Sequence, residues 1–114
     1  MVTRSAVLSE DMEQAHFVSW FRKNYPSVRI FAIPNGGHRH PAVAAKLKVT
    51  GVVKGVPDLF IPEWLLWVEM KKTKGGKVSP EQKEWIDYLN GCGHKAVIAN
   101  GCDEAIKIIQ ELRA

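Results

Sequence analysis

Leu66-Trp67-Val68-Glu69-Met70-Lys71 is an apolar run interrupted by one carboxylate and one ammonium. The alternation and the β-branched and aromatic content predict a strand over Leu65 to Lys71. Successive strand side chains point to opposite faces, so Leu65, Trp67, Glu69 and Lys71 share one face and Leu66, Val68 and Met70 the other. Just upstream, Gly55-Val56-Pro57-Asp58-Leu59-Phe60 places another carboxylate among apolar residues. Pro62-Glu63 between the two stretches predicts a tight turn, with Asp58 to Ile61 as the preceding strand. A carboxylate buried in apolar surroundings is costly unless it is paired or holds a cation.

The elements read outward from this pair form a regular series. Ser9 is an N-cap candidate followed by Glu10 and Asp11, and Phe17, Trp20 and Phe21 fall near helical spacing, giving a first helix that stops before Pro26. Val28 to Ile33 is a strand candidate, and Asn35-Gly36-Gly37 a turn. Pro41 opens a short helix that carries Lys46 and Lys48. Ser79-Pro80-Glu81-Gln82 has the form of a capping box for a third helix ending near Gly91. Ala96 to Ala99 is a last strand, and Asp103 and Glu104 open a last helix. The order α-β-α-β-β-α-β-α predicts an α/β fold, a mixed central sheet flanked by helices.

Two carboxylates and a lysine at adjacent strand ends suit a divalent cation and a water beside a phosphate, the requirement of metal-dependent phosphodiester hydrolysis. Asp58 and Glu69 are the expected ligands, with the Met70 carbonyl as a third, and Mg²⁺ or Mn²⁺ as the ion. Lys71 would orient or deprotonate the attacking water and offset transition-state charge. The competing reading is a set of surface salt bridges, Asp58 with Lys71 or Lys54 and Glu69 with Lys72.

Pro57-Asp58 followed by Glu69-Met70-Lys71 resembles the PD-(D/E)xK nuclease motif. Taken with Ile33-Pro34-Asn35-Gly36-Gly37, Gly51, Gly55 and Ser79-Pro80-Glu81-Gln82 through Trp85, the chain resembles the virus-type replication-repair nuclease (VRR-NUC) domain along nearly its whole length. The resemblance implies a restriction-endonuclease-like core and an endodeoxyribonuclease activity. It also implies an acidic residue on the first helix that completes the site, Glu13 by its place before Phe17, with Glu10 as runner-up. It gives Gln82 a place behind the catalytic strands and makes Asn35, Gly36 and Gly37 a turn that lets DNA come close. Small stand-alone members resemble nucleases of branched DNA and Holliday junctions, so a structure-selective homodimer acting on four-way DNA is expected. An inactive DNA-binding module of the same fold is the alternative.

Composition is compatible with this. A chain of 114 residues falls in the roughly 100–200-residue range of one domain, here 1–114 with 1–8 as a loose arm. A net charge of +4 and a pI near 9.2 suit an anionic partner. Arg39, Lys46, Lys48, Lys54, Lys72, Lys74 and Lys77 are the expected phosphate contacts, which give affinity without sequence information. Lys74-Gly75-Gly76-Lys77 lacks the form of a phosphate-binding loop, since Val78 follows the lysine, so no nucleotide cofactor is expected. Cys92, His94 and Cys102 match no common zinc spacing. No apolar run approaches a membrane span and the N-terminus carries no signal-peptide pattern, so a cytoplasmic location without secretion is expected. Trp20, Trp67 and Trp85 sit at core-like spacings, and Trp64, at the hairpin tip, is an exposed-contact candidate for a dimer, with helix 1 and the N-terminal arm.

Overall fold

The computed structural model describes residues 8–34 and 40–114. Its elements run α1 (Glu10–Asn24), β1 (Phe31–Ala32), α2 (Pro41–Val49), β2 (Leu59–Ile61), a 3₁₀ turn (Pro62–Trp64), β3 (Leu66–Lys71), α3 (Pro80–Gly91), β4 (Lys95–Asn100) and α4 (Cys102–Leu112). The four strands lie side by side in chain order. The β1–β2 and β2–β3 pairs are antiparallel and β3–β4 is parallel. The mixed sheet flanked by helices is the expected α/β class.

Local chemistry sets the boundaries. Ser9 Oγ accepts the Met12 N–H, capping α1. Ser79 Oγ accepts the Gln82 N–H while the Gln82 side chain accepts the Ser79 N–H, so the capping box at α3 is complete. Three strands are shorter than predicted, β2 by Asp58 at its start. β1 keeps two residues of the expected Val28–Ile33 run, because the Val28 N–H closes a turn onto the Tyr25 carbonyl and the Arg22 guanidinium takes the Ile30 carbonyl. Leu65 falls outside β3: its φ of +48° closes the 3₁₀ turn and leaves it exposed, off the face it was expected to share with Trp67.

The alternation along β3 divides the interior. Leu66, Val68 and Met70 pack with Leu59 and Ile61 of β2 against Phe17 and Phe21 of α1 and Ala105 and Ile109 of α4. On the opposite face, Trp67 packs with Ile86 and Leu89 of α3 and with Ala96. Glu69 and Lys71 lie on that second face, one and two steps beyond Trp67. Trp64 is not the exposed contact expected from its hairpin position. It is half-buried, meets Phe21 at 5.4 Å and Tyr25 at 5.1 Å, and has the Arg113 guanidinium 4.4 Å from its ring centroid. No helix among the described residues is long and apolar enough to cross a membrane.

Gly55 secures the loop that delivers Asp58. Its φ is +96°, and a β-carbon there would lie 2.8 Å from the backbone of Glu81 at the start of α3. Only glycine meets both demands. Gly55→Ala should therefore destabilise the chain by roughly 1–3 kcal/mol, read as a lower denaturation midpoint at unchanged slope.

Candidate active site

The β2–β3 register pairs Leu59 with Val68. One step further, Asp58 stands opposite Glu69 and Pro57 opposite Met70. The Leu65 and Lys71 carbonyls accept from Lys95 and Gly101 on the β4 side, so alternation turns the Met70 peptide groups toward β2. Pro57 has no N–H for the Met70 carbonyl. The Met70 N–H donates to Asp58 Oδ2 at 2.8 Å. That bond holds Asp58 against the strand that carries Glu69.

Gln82 of α3 holds the rest of the site. Its Oε1 accepts from Lys71 Nζ at 2.9 Å as well as from the Ser79 N–H. Its Nε2 donates to Glu69 Oε2 at 3.1 Å. Lys71 Nζ lies 3.5 Å from the same Glu69 oxygen. Lys71 and Glu69 are both buried, at 4% and 1% exposure. One glutamine therefore caps a helix and locks both side chains of the Glu-x-Lys pair. Surface salt bridging does not describe these residues: Asp58 is in none of the ion pairs among the described residues, and Glu69 pairs with a buried Lys71, not with Lys72.

Burial pushes the Glu69 carboxyl up to about 8, the nearby Asp58 carboxylate adds to the rise, and Lys71 opposes it. Burial also raises Asp58, against the Met70 N–H and Lys71, which lower it. Asp11 adds a further repulsion to Asp58 from α1. Glu69 Oε1 is buried without a hydrogen-bond partner. Two facing carboxylates and an orphaned oxygen, with the Met70 carbonyl adjoining them in the chain, form a hard oxygen donor set that fits Mg²⁺ or Mn²⁺. The protein supplies few ligands: among the described residues no three of His, Cys, Asp and Glu gather in one place. Magnesium commonly keeps several waters in such sites.

Glu13, expected on the first helix as the acid that completes the site, is 5% exposed, and its hydrogen bonds go to the segments that follow β3 and β4. Its Oε2 accepts from Thr73 Oγ1 at 2.9 Å and its Oε1 from the Cys102 N–H at 2.9 Å. The reason lies at Gly101, which begins α4 with φ +97° and has no side chain to cap it. A carboxylate on α1 caps that helix from outside. Thr73 and Asp11 are the neighbours of the site that sequence reading missed. Thr73 lies in a basic loop, and Asp11 resembles any first-turn acid.

Lys46, Lys48, Lys54, Lys74 and Lys77 are exposed and Lys72 is half-buried. Lys54 lies 3.9 Å from Glu81. Asn35, Gly36, Gly37, His38 and Arg39 lie outside the described residues. Cys92 and Cys102 form no disulfide, and His94 Nδ1 accepts from Trp67 Nε1 at 2.9 Å.

Proline-directed presentation of an aspartate, a Glu-x-Lys strand and a glutamine on the following helix define a nuclease-type site on a mixed sheet. The VRR-NUC domain family model matches residues 3–103, and the chain belongs to that family. A solved structure described as a VRR_NUC domain protein superposes with a TM-score of 0.78 at 32% identity, covering 93% of this chain and 88% of its own. Among curated proteins none matches.

The raised Glu69 carboxyl has a consequence for stability. Below about pH 4.5 Glu69 is protonated whether the chain is folded or unfolded. Between there and about 8 the folded chain retains a proton that the unfolded chain releases, so stability falls as pH rises through this window. Thermal unfolding of metal-free protein should show that fall, and Glu69→Gln should flatten it. Mg²⁺ favours the ionised pair, so it should raise Tm more at about pH 8 than at about pH 5.

Proposed function

We propose that the chain is a Mg²⁺- or Mn²⁺-dependent, structure-selective DNA endonuclease that hydrolyses phosphodiester bonds. The observation that carries this reading is the pairing of Asp58 with buried Glu69, which has an orphaned oxygen beside a lysine fixed by Gln82. Asp58, Glu69 and the Met70 carbonyl would hold the cation. When bound, it would supply Lewis-acid stabilisation of the phosphoryl oxygens and a more acidic water. Lys71 points its ammonium into the same site, where it orients the attacking water and offsets developing negative charge. Gln82 prevents Lys71 from swinging away. Exposed Lys46, Lys48, Lys54, Lys74 and Lys77, with Lys72 beside them, would contact phosphates without reading bases.

Asp58→Asn and Glu69→Gln change charge at nearly constant volume. Each should lower cleavage roughly a hundredfold or more while circular dichroism stays native. Near-normal turnover by either would defeat the assignment. Lys71→Ala should lose roughly 10²–10⁴ in rate and perturb Mn²⁺ binding by calorimetry less than the carboxylate changes. Lys72→Ala should be mild.

The preferred substrate in this reading is branched DNA, four-way junctions included, and the active form is a homodimer. Two opposed nicks need two sites, and a two-fold protein matches a two-fold junction. Trp64 is engaged within the fold, which removes it from the candidate interface. α2 has no buried residue, and Val43, Val49 and Val53 are exposed on it and just after it. A nine-residue helix is too short to be stable alone in water, so a second copy covering α2 is consistent with its formation. Light scattering should give a dimer mass that Val49→Glu reduces. Four-way DNA should be cut faster than linear duplex, with binding that weakens steeply as salt rises. Equal rates on both DNAs would leave a general nuclease.

A further inference from the structure

The sheet face that carries Asp58 and Glu69 continues as a row of rings. Phe60 lies two residues along β2 from Asp58, about 7 Å at strand spacing, and Trp67 lies two residues before Glu69. Side chains two apart share a face, so both rings stand on the carboxylate side. Phe60 stacks on Trp67 with centroids 4.1 Å apart and planes 27° apart. Phe31 of β1, paired with Phe60 in register, meets it edge-on at 5.8 Å. The Trp67–His94 hydrogen bond of 2.9 Å ties the far end of the row to the turn before β4.

Packing accounts for Trp67 and Phe60, whose rings cover each other. It does not account for Phe31, which is 45% exposed on the edge strand. Phe31 also borders a groove of about 780 Å³ that lies between α1 and the β1 edge, on the Leu59 side of the sheet, and Arg22, Lys23 and Asp11 line it. Arg22 donates to the Ile30 carbonyl at 3.4 Å, which fixes its guanidinium beside the strand. At the sheet edge, Phe31 thus has the Phe60 ring and the carboxylate face on one side and the two cations of the α1 groove on the other, which combines the two chemistries of a single-stranded nucleotide: a π-face for the base and positive charge for the phosphate. Duplex DNA would satisfy the cations and leave the ring unused.

We propose that Phe31, backed by Phe60 and bordered by Arg22 and Lys23, is a stacking site for an unpaired base of the DNA strand that reaches the Asp58–Glu69 pair. The proposal rests on the nuclease reading for the identity of that strand. It extends the reading by making local unpairing, not only branching, a feature of the substrate.

Binding in EDTA tests it apart from cleavage. The probes are a fluorescein-labelled oligothymidine of about 12 nucleotides, a labelled duplex of equal length, and a single strand carrying 2-aminopurine. Phe31→Ala should weaken oligothymidine binding roughly tenfold and change duplex affinity far less. Phe31→Leu, which keeps an apolar side chain but no π-face, should behave like Phe31→Ala, and Phe31→Trp should bind like the wild type. Quenching of 2-aminopurine should appear with wild type and Phe31→Trp and be lost in Phe31→Leu. Equal weakening on both DNAs, or no weakening on either, overturns the proposal. A drop in oligomer mass caused by Phe31→Leu also overturns it, because Phe31 would then be a contact between copies. If Glu69→Gln cleaved normally, the nuclease reading would fail while the quenching result stood.

Discussion

The close approach of buried Glu69 and half-buried Asp58 across β2 and β3 is the constraint around which the site is arranged. Asp58 and Glu69 face each other by register, and burial raises both above their ordinary range. Such a pair tends to recruit a proton or a cation. Three neighbouring groups limit that conflict: the Met70 N–H on Asp58, the Gln82 amide on Glu69, and the Lys71 ammonium 3.5 Å from Glu69. Without these groups the face of β3 beneath α3 would hold an uncompensated charge. With all of them the pair still has an unsatisfied oxygen at Glu69. That oxygen is the one the proposed cation would take.

Proline and glycine make the approach possible by what they lack. Pro57 has no N–H to continue the ladder, and next to it the Asp58 carboxylate takes the Met70 N–H. Gly55 has no side chain, so the loop that brings Asp58 in can press against Glu81. At the carboxyl end of β4, beside Lys71, Gly101 leaves α4 uncapped by its own side chain, and Glu13 fills that role from α1. The same buried acid that family resemblance places in the catalytic set is here a tie between α1, Thr73 and α4. It contributes to the site by holding the carboxyl ends of β3 and β4 in place.

Gln82 shows how a helix cap becomes part of a site. A capping glutamine already has its carbonyl oxygen directed at the Ser79 N–H. The oxygen's second lone pair and the amide nitrogen remain free for tertiary use. They reach Lys71 and Glu69 because α3 packs over that face of β3. The cost of ordering the glutamine is thus shared between helix initiation and the geometry of the site.

Sequence alone determined the element order, the two faces of β3 and the cap of α3, because these follow from strand alternation, turn chemistry and local hydrogen bonding. It also made Asp58, Glu69 and Lys71 recognisable, since charges within apolar strands are costly and seldom incidental. Tertiary structure decided the rest. The length of β1 depended on Tyr25 and Arg22 taking the backbone groups of Val28 and Ile30 before a strand partner could. The engagement of Trp64 depended on α1 and the C-terminal Arg113 meeting at one ring. The partners of Glu13 lie 60 and 89 positions away in the chain. No local pattern encodes such contacts, because they arise only when helices packed on a common sheet bring distant residues within bonding distance.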